Sequence, residues 1–139
     1  MLRHWWRALI LFLLGGGMYV LVELWWRGGS HVSMFVLGGG CFCLIGLLNE
    51  PCPGCRSLLW QALVGSAIIT LGELLMGLLV NCHWGLAVWD YSALPFNLWG
   101  QICLQYSLLW VLLAAVAVLV DDRLRWWLFG ERLPRYRLI

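Results

Sequence analysis

Four long apolar stretches alternate with short polar segments along the chain, and this pattern predicts a membrane-crossing helix in each stretch. A bilayer core about 30 Å thick is crossed by roughly 20 apolar residues in helical conformation. The stretches cover about residues 8–26, 32–48, 57–80 and 98–120. We therefore predict an all-α fold: a polytopic membrane protein in which residues 1–139 form a single transmembrane domain, a bundle of four transmembrane helices.

The composition supports this class and excludes others. Of 139 residues, 63% are hydrophobic and 12% are charged, whereas a soluble domain has about 25% charged residues. The net charge of +2 is too small to indicate nucleic-acid binding. All nine basic residues are arginine, so the lysine of a phosphate-binding ATPase loop is missing. Composition therefore excludes a P-loop ATPase and points to the lipid bilayer as the main partner.

The arginines are distributed unevenly between the two sides that four spans define. Eight of the nine lie at the termini or between the second and third spans, and Arg27 alone lies on the other side. Because arginine-rich flanks stay in the cytoplasm, both termini are predicted to be cytoplasmic. Tryptophan rings settle at membrane surfaces, and every tryptophan except Trp110 lies near a predicted span end.

Three segments lie outside the predicted spans. Residues 49–56 are predicted to form a tight turn, broken by proline and glycine. Residues 81–97 form a long aromatic loop on the external side. Residues 121–139 alternate charged and aromatic residues, which is typical of an amphipathic tail on the cytoplasmic membrane surface.

Two glutamates lie within the predicted spans, where an ionisable side chain is costly and typically marks a functional site. Glu23 and Glu73 both fall in the outer halves of their helices. Glu73 shares a helix face with small and hydroxyl-bearing residues, which favour close helix contacts. The members of that face are Ala62, Ser66, Thr70, Glu73 and Gly77.

Further polar residues are predicted at the same level. Asn97, Gln101 and Gln105 are each four residues apart and would form an amide stripe on span four. The external loop adds Asp90 as a third carboxylate in a lid above this level. The candidate outward-facing site for a substrate or ion therefore comprises Glu23, Glu73, Asp90, Tyr91, Ser92, Asn97, Gln101 and Gln105.

Each of these features also has a structural interpretation. Glu23 can pair with Arg27 one helical turn away, and Glu73 can be a hydrogen-bonding group within the bundle. The amide stripe can hold helices together without binding anything. Asp90 and Ser92 can cap the next helical element.

The cysteines predict no metal site and no cofactor. Cys52 and Cys55 form a single CxxC pair in a predicted cytoplasmic turn, where a disulfide would be reduced. Zinc needs four ligands, and the role of this pair stays open. The glycine triplets at 15–17 and 38–40 are predicted to permit close helix crossing.

Three segments together resemble a known family. They are RGGSHVSMFVLGGGCFCLIGLLNE at 27–50, TLGELLMGLLVN at 70–81 and WDYSALPFNLWGQICLQYSLLW at 89–110. They are similar to the CmpB-like family of bacterial ABC-transporter type IV permeases, small multispan membrane proteins, and the resemblance covers nearly the whole chain. It implies a protein of the bacterial cell membrane with a transport role. The matching positions are Glu23, Arg27, Gly28, Glu73, Trp89, Asp90, Tyr91, Ser92, Asn97, Gly100 and Gln101.

The sequence thus predicts a permease-like transport component with an outward-facing polar site. Four spans are few for a gated pathway, so we expect a homo-oligomer or a partner membrane subunit, with a separate ATPase if transport is ATP-driven. The alternative is a non-transporting accessory, sensor or scaffold protein. A third interpretation, an intramembrane enzyme with two carboxylates as acid and base, is disfavoured because no nucleophile, metal or ATP-binding motif is found.

Overall fold

The structure is a computed structural model that describes residues 2–49 and 57–139. Within these ranges four α-helices make up most of the chain, so the all-α prediction is confirmed. A π-helical segment continues the third helix, and two short antiparallel strands precede the fourth. The elements are α1 (Leu2–Arg27), α2 (Val32–Gly46), α3 (Leu58–Gly77), the π-helical segment (Leu78–His83), β1 (Asn97–Leu98), β2 (Ile102–Cys103) and α4 (Leu104–Phe129).

Three of the described helices are long and apolar enough to cross a membrane: α1, α3 with its π-helical extension, and α4. Helix α2 has 15 residues and is therefore about 22 Å long, shorter than a bilayer core of about 30 Å. Large apolar side chains cover the outside of the bundle, and Leu75 and Leu112 are each 68% exposed. Such a surface is suited to lipid rather than water.

The glycine triplets allow α1 and α2 to lie in direct contact. A Cβ on Gly16 would lie 2.6 Å from the carbonyl oxygen of Phe35, and one on Gly39 would lie 2.6 Å from that of Phe12. Only glycine permits this approach, because any side chain would overlap the opposing backbone. The rings of Phe12 and Phe35 meet edge to face, with 5.9 Å between centroids. The predicted close helix crossing is confirmed.

The small-residue face of α3 contacts α4, as its spacing predicts. The Ser66 hydroxyl donates to the carbonyl of Ser107 at 2.6 Å, and the Thr70 hydroxyl lies 3.1 Å from the Ser107 hydroxyl. Gly65 lies directly against Ala114. These contacts bring Glu73, further along the same face, to the first turns of α4.

The segment before α4 folds as a β-hairpin. Asn97 of β1 lies opposite Cys103 of β2. In the turn between them, Trp99 and Gly100 have φ of 52° and 69°. This left-handed backbone is incompatible with a right-handed helix. The helix therefore begins only after the hairpin.

Span four is predicted at about residues 98–120, whereas the helix of this region, α4, begins at Leu104. Asn97 and Gln101 belong to the hairpin, and Gln105 lies in the first turn of the helix. The three amides do not form one helical stripe. A spacing of four residues indicates a shared face only where the backbone is helical throughout.

At its other end α4 continues past the predicted span boundary at residue 120. It ends at Phe129, where Gly130 provides a left-handed cap with φ of 69°. The remaining residues return to α3, where the carbonyl of Arg137 accepts a hydrogen bond from the amide of Leu58 at 2.7 Å. The segment predicted as a tail, 121–139, thus consists of two parts. Its first half belongs to α4, and its second half accepts hydrogen bonds from backbone amides at the start of α3, which have no partner within that helix.

The bundle has two ends, which we call the loop end and the terminal end. The loop end carries residues 84–103, between the π-helical segment and α4. The terminal end lies opposite, where α1 begins and α4 ends, and there Arg7 contacts Glu131. Which end faces the cytoplasm remains a prediction from the arginine distribution.

Candidate functional site

The carboxylate of Glu73 is enclosed at the loop end of the bundle, with only 1% of the residue exposed. The indole Nε1 of Trp110 donates to its Oε2 at 2.7 Å, and the hydroxyl of Tyr91 donates to its Oε1 at 3.2 Å. One donor comes from α4 and the other from the loop. The loop therefore closes over Glu73, and both carboxylate oxygens have a partner.

Four aromatic rings follow one another in a series, and two of them, Tyr91 and Trp110, contact this carboxylate. Tyr91 stacks on Tyr106 with 4.8 Å between ring centroids, and Tyr106 lies 5.9 Å from Trp110. Trp110 in turn lies 6.4 Å from Tyr19 of α1. We call Glu73 with these four rings the aromatic cage. Burial and the nearby Glu73 carboxylate raise the pKa of Tyr91 well above its usual range, so its hydroxyl stays protonated and donates.

No cation accompanies the Glu73 carboxylate among the described residues. Arg27, at the end of α1, is paired with Glu23 at 3.0 Å and donates to the carbonyl of Val88 at 3.3 Å. Ser30 also donates to Glu23, at 3.1 Å. Glu23 therefore has the local arginine partner that its one-turn spacing suggested, whereas Glu73 has only neutral donors.

The predicted loop residues mostly organise the loop itself. Asp90 is exposed, and the backbone amide and hydroxyl of Ser92 hold its pKa below the usual range. The Asn97 side chain donates to the carbonyls of Ser92 and Leu94, at 3.3 and 2.7 Å. Of these residues only Tyr91 reaches Glu73.

Gln101 is buried, and its side chain binds within the loop end rather than to Glu73. Its Oε1 accepts from Asn81 at 2.8 Å, and its Nε2 donates to the carbonyl of Trp99 at 3.0 Å. Its backbone carbonyl accepts from the indole of Trp89 at 2.9 Å. The side chain of Gln105 is exposed. The structure therefore does not bring the eight predicted residues together around one cavity.

A separate polar depression lies at the loop end beside the Glu23–Arg27 pair. It has a volume of about 510 Å³ and is lined by Arg27, Ser30 and His31, together with Leu86 and Val88. Glu73 does not line it. A polar depression and a buried carboxylate thus both occur at the loop end of the bundle, but at different places.

The terminal end has a second buried polar cluster. Asp121 is 1% exposed and accepts from the guanidinium of Arg125 at 2.6 Å. Asp122 accepts from Asn49 at 2.9 Å and from the Tyr136 hydroxyl at 2.6 Å. Burial and the bond to Asp122 raise the pKa of Tyr136 above its usual range. The acids at this end are thus held by an arginine and by neutral donors.

Sequence reasoning missed four residues that complete these arrangements. Trp110 was identified only as the one tryptophan inside a span, and that unusual depth was the available signal for its contact with Glu73. Asn81 accepts from the amide of Val88 at 2.7 Å and fixes the π-helical segment to the loop, a geometry that no spacing rule foresees. The adjacent acids Asp121 and Asp122 were assigned to a surface tail, although two acids within an apolar helix are themselves a signal of burial with partners.

Metal chemistry has little support in the part of the chain that the structure describes. No group of three or more histidine, cysteine or acidic residues there could hold a metal ion. Cys41, Cys43, Cys82 and Cys103 are free thiols. Cys52 and Cys55 lie outside the described residues.

An apolar helical bundle with enclosed carboxylates is an arrangement typical of integral membrane proteins. A family profile described as "Putative ABC-transporter type IV" matches residues 10–130, and the chain belongs to this family. The resemblance seen in the sequence is thereby confirmed. No curated protein and no solved structure matches the chain. The family name relates the protein to ABC transporters, and three apolar helices of spanning length agree with a place in the membrane.

Proposed function

We propose that the protein is a permease-like component of a membrane transporter and that its cargo site is centred on Glu73. The observation that carries the proposal is a carboxylate enclosed in the bundle, held by neutral donors, with no cation beside it among the described residues. A buried charge without an opposite partner is costly. A site kept in this condition is suited to taking up a positively charged cargo or a proton.

The loop acts as a lid in this proposal. Tyr91 closes it onto Glu73, and Asn81 and Asn97 keep its backbone ordered through side-chain bonds. A π-helical segment at the base of the loop is a type of irregularity often found at functional sites. Movement of the loop would remove the Tyr91 contact and give Glu73 access to the loop end, which we assign to the outside of the cell from the arginine distribution.

We infer the partners of the protein from features that a transporter needs and that one chain does not supply. Three long helices and one short helix are few for a gated pathway, so we propose a second copy of the chain or a partner membrane subunit. Because the sequence has no lysine, ATP-driven transport would require a separate ATPase. We place the assembly in the bacterial cell membrane, with both termini in the cytoplasm.

One observation favours the alternative, a non-transporting accessory, sensor or scaffold protein. Both oxygens of Glu73 are hydrogen-bonded, and Gln101 and Asn81 are bonded to each other. A fully bonded network can simply fix helices and loop in place. The two functions differ in whether water ever reaches Glu73.

Cysteine accessibility distinguishes them. Glu73→Cys and Gln101→Cys are made in a background without the native cysteines and treated in intact vesicles with a membrane-impermeant thiol reagent. Asp90→Cys, at a fully exposed position, is the positive control, and Ala114→Cys, at a position 0% exposed, is the negative control. The proposal predicts labelling at 73 from the side that labels position 90. Labelling at 73 no faster than at 114 would contradict it and favour the scaffold.

A further inference from the structure

An apolar crevice lies beside the aromatic cage. It has a volume of about 340 Å³ and is formed by α1, α2 and α4, with Ile69 contributed by α3. Almost all of its lining is apolar, with Leu37, Leu113 and Ala117 among the contributing side chains. For comparison, an apolar cavity of about 150 Å³ stays dry and binds benzene. The crevice is thus large enough for a more extended apolar group.

One end of the crevice lies close to the surroundings of Glu73. Tyr19 lines the crevice, and its ring lies 6.4 Å from the ring of Trp110, whose indole donates to Glu73. Cys41 also lines it, with its sulfur 3.2 Å from where a Cβ of Gly72 would lie, next to Glu73 in the chain. The Tyr19 hydroxyl has no hydrogen bond within the ranges that the structure describes, so no polar contact fixes the ring between crevice and cage.

The surroundings of Glu73 favour one chemical class of cation. Metal ions such as Mg²⁺ and Ca²⁺ need several oxygen ligands, and here a single carboxylate contacts two aromatic side chains. Aromatic faces attract weakly hydrated cations, above all substituted ammonium groups. The adjoining crevice can remove an attached apolar group from water.

We infer that the ligand of the Glu73 site is an organic cation with an apolar body. Its charge lies at the Glu73 carboxylate beside the rings of the aromatic cage, and its apolar body occupies the crevice. Rotation of the Tyr19 side chain connects the crevice with the space beside Glu73. The inference rests on the proposed function of Glu73 as the cargo site and names the class of cargo.

Equilibrium dialysis of the full chain in lipid nanodiscs tests this with three probes. Tetraphenylphosphonium has both a positive charge and a large apolar body. Tetramethylammonium has the charge but not the large apolar body, and triphenylphosphine oxide has a similar apolar body but no net charge. We expect saturable binding of tetraphenylphosphonium. We expect the other two probes to compete at least about tenfold less well, because each lacks one of the two interactions, and tenfold corresponds to about 1.4 kcal/mol.

Variants locate the binding. Glu73→Gln is expected to weaken tetraphenylphosphonium binding at least about tenfold, because the charge is lost while the shape is kept. Glu73→Asp keeps the charge and should restore part of the affinity, which separates a charge effect from a folding defect. Glu131→Gln, at a carboxylate of the terminal end, is the matched control and should bind normally.

A second pair tests the crevice. Val116→Trp fills it from α4, whereas Leu119→Trp adds the same ring to a position of α4 that does not line it. Only the first should weaken tetraphenylphosphonium binding. If tetramethylammonium competes equally well and Val116→Trp has no effect, the cargo class is wrong while the Glu73 site stands. If the wild-type chain does not bind tetraphenylphosphonium, or Glu73→Gln binds it normally, the inference is overturned, and the cysteine accessibility experiment still decides the proposed function separately.

Discussion

The two ends of the bundle enclose acidic side chains in different ways. At the terminal end, Asp121 is paired with the guanidinium of Arg125 at 2.6 Å, and Arg7 is paired with Glu131 at 3.0 Å. At the loop end, Glu73 is equally buried but is held only by an indole and a phenol. Asp121 thus has a positively charged partner and Glu73 has none in the described part of the chain, whereas Glu23, also at the loop end, is paired with Arg27. We infer that the Asp121 pair serves folding and that the Glu73 site serves binding.

This difference predicts that removing the carboxylate charge has unequal effects on stability at the two sites. At the terminal end, loss of the Asp121 carboxylate leaves the nearly buried Arg125 without that partner, and such a loss is strongly destabilising. At the loop end, loss of the carboxylate removes a buried charge that no described cation offsets. The first change should therefore damage stability more than the second.

The largest effect on stability is expected for Asp121→Asn. Breaking the 2.6 Å pair with Arg125 should cost about 3 kcal/mol, the lower part of the range for buried ion pairs. Thermal unfolding in detergent, followed by circular dichroism, measures the loss. Glu131→Gln is the control, because its side chain is 33% exposed and lies 3.8 Å from Arg125, much farther than Asp121, and such exposed pairs contribute about 0–1 kcal/mol. Equal losses in the two variants would contradict the structural role of Asp121.

A smaller effect is expected at the aromatic cage. Trp110→Phe keeps an aromatic ring but removes the 2.7 Å donor to Glu73, at a cost of about 1.5–3 kcal/mol for a bond to a charged group. Tyr91→Phe removes a donor that belongs to the loop and lies at 3.2 Å, and it should cost less. Thermal unfolding gives the order. A larger loss for Tyr91→Phe than for Trp110→Phe would show that the loop, rather than α4, is the main support of the carboxylate.

The helical pattern could be predicted from the sequence because it depends on local rules. Apolar runs of spanning length predicted the helices, and the spacing of Ser66, Thr70 and Glu73 predicted a face of α3 for close helix contact, although not its partner α4. The glycine triplets predicted the close crossing of α1 and α2. Each of these rules concerns positions within one regular helix.

The site itself could be predicted only in part, because its geometry depends on irregular backbone. Glu73 and Tyr91 were identified, one from its depth in a span and the other from its place in the aromatic loop. The left-handed turn at Trp99 and Gly100 breaks the helical spacing that grouped Asn97 with Gln105. The Trp110 contact arises from the packing of α4 against α3, for which the sequence offers no spacing rule.

The most direct test of the central claim is to locate the ligand on Glu73 itself. A hydrophobic carbodiimide, which modifies carboxyl groups in apolar surroundings, is applied to the full chain in nanodiscs, and mass spectrometry identifies the modified residues. We predict an adduct on Glu73 that falls at least about tenfold when tetraphenylphosphonium is saturating, while any adduct on Asp121 is unchanged. Modification of Glu73 that tetraphenylphosphonium does not reduce would contradict the assignment of the aromatic cage as the cation site.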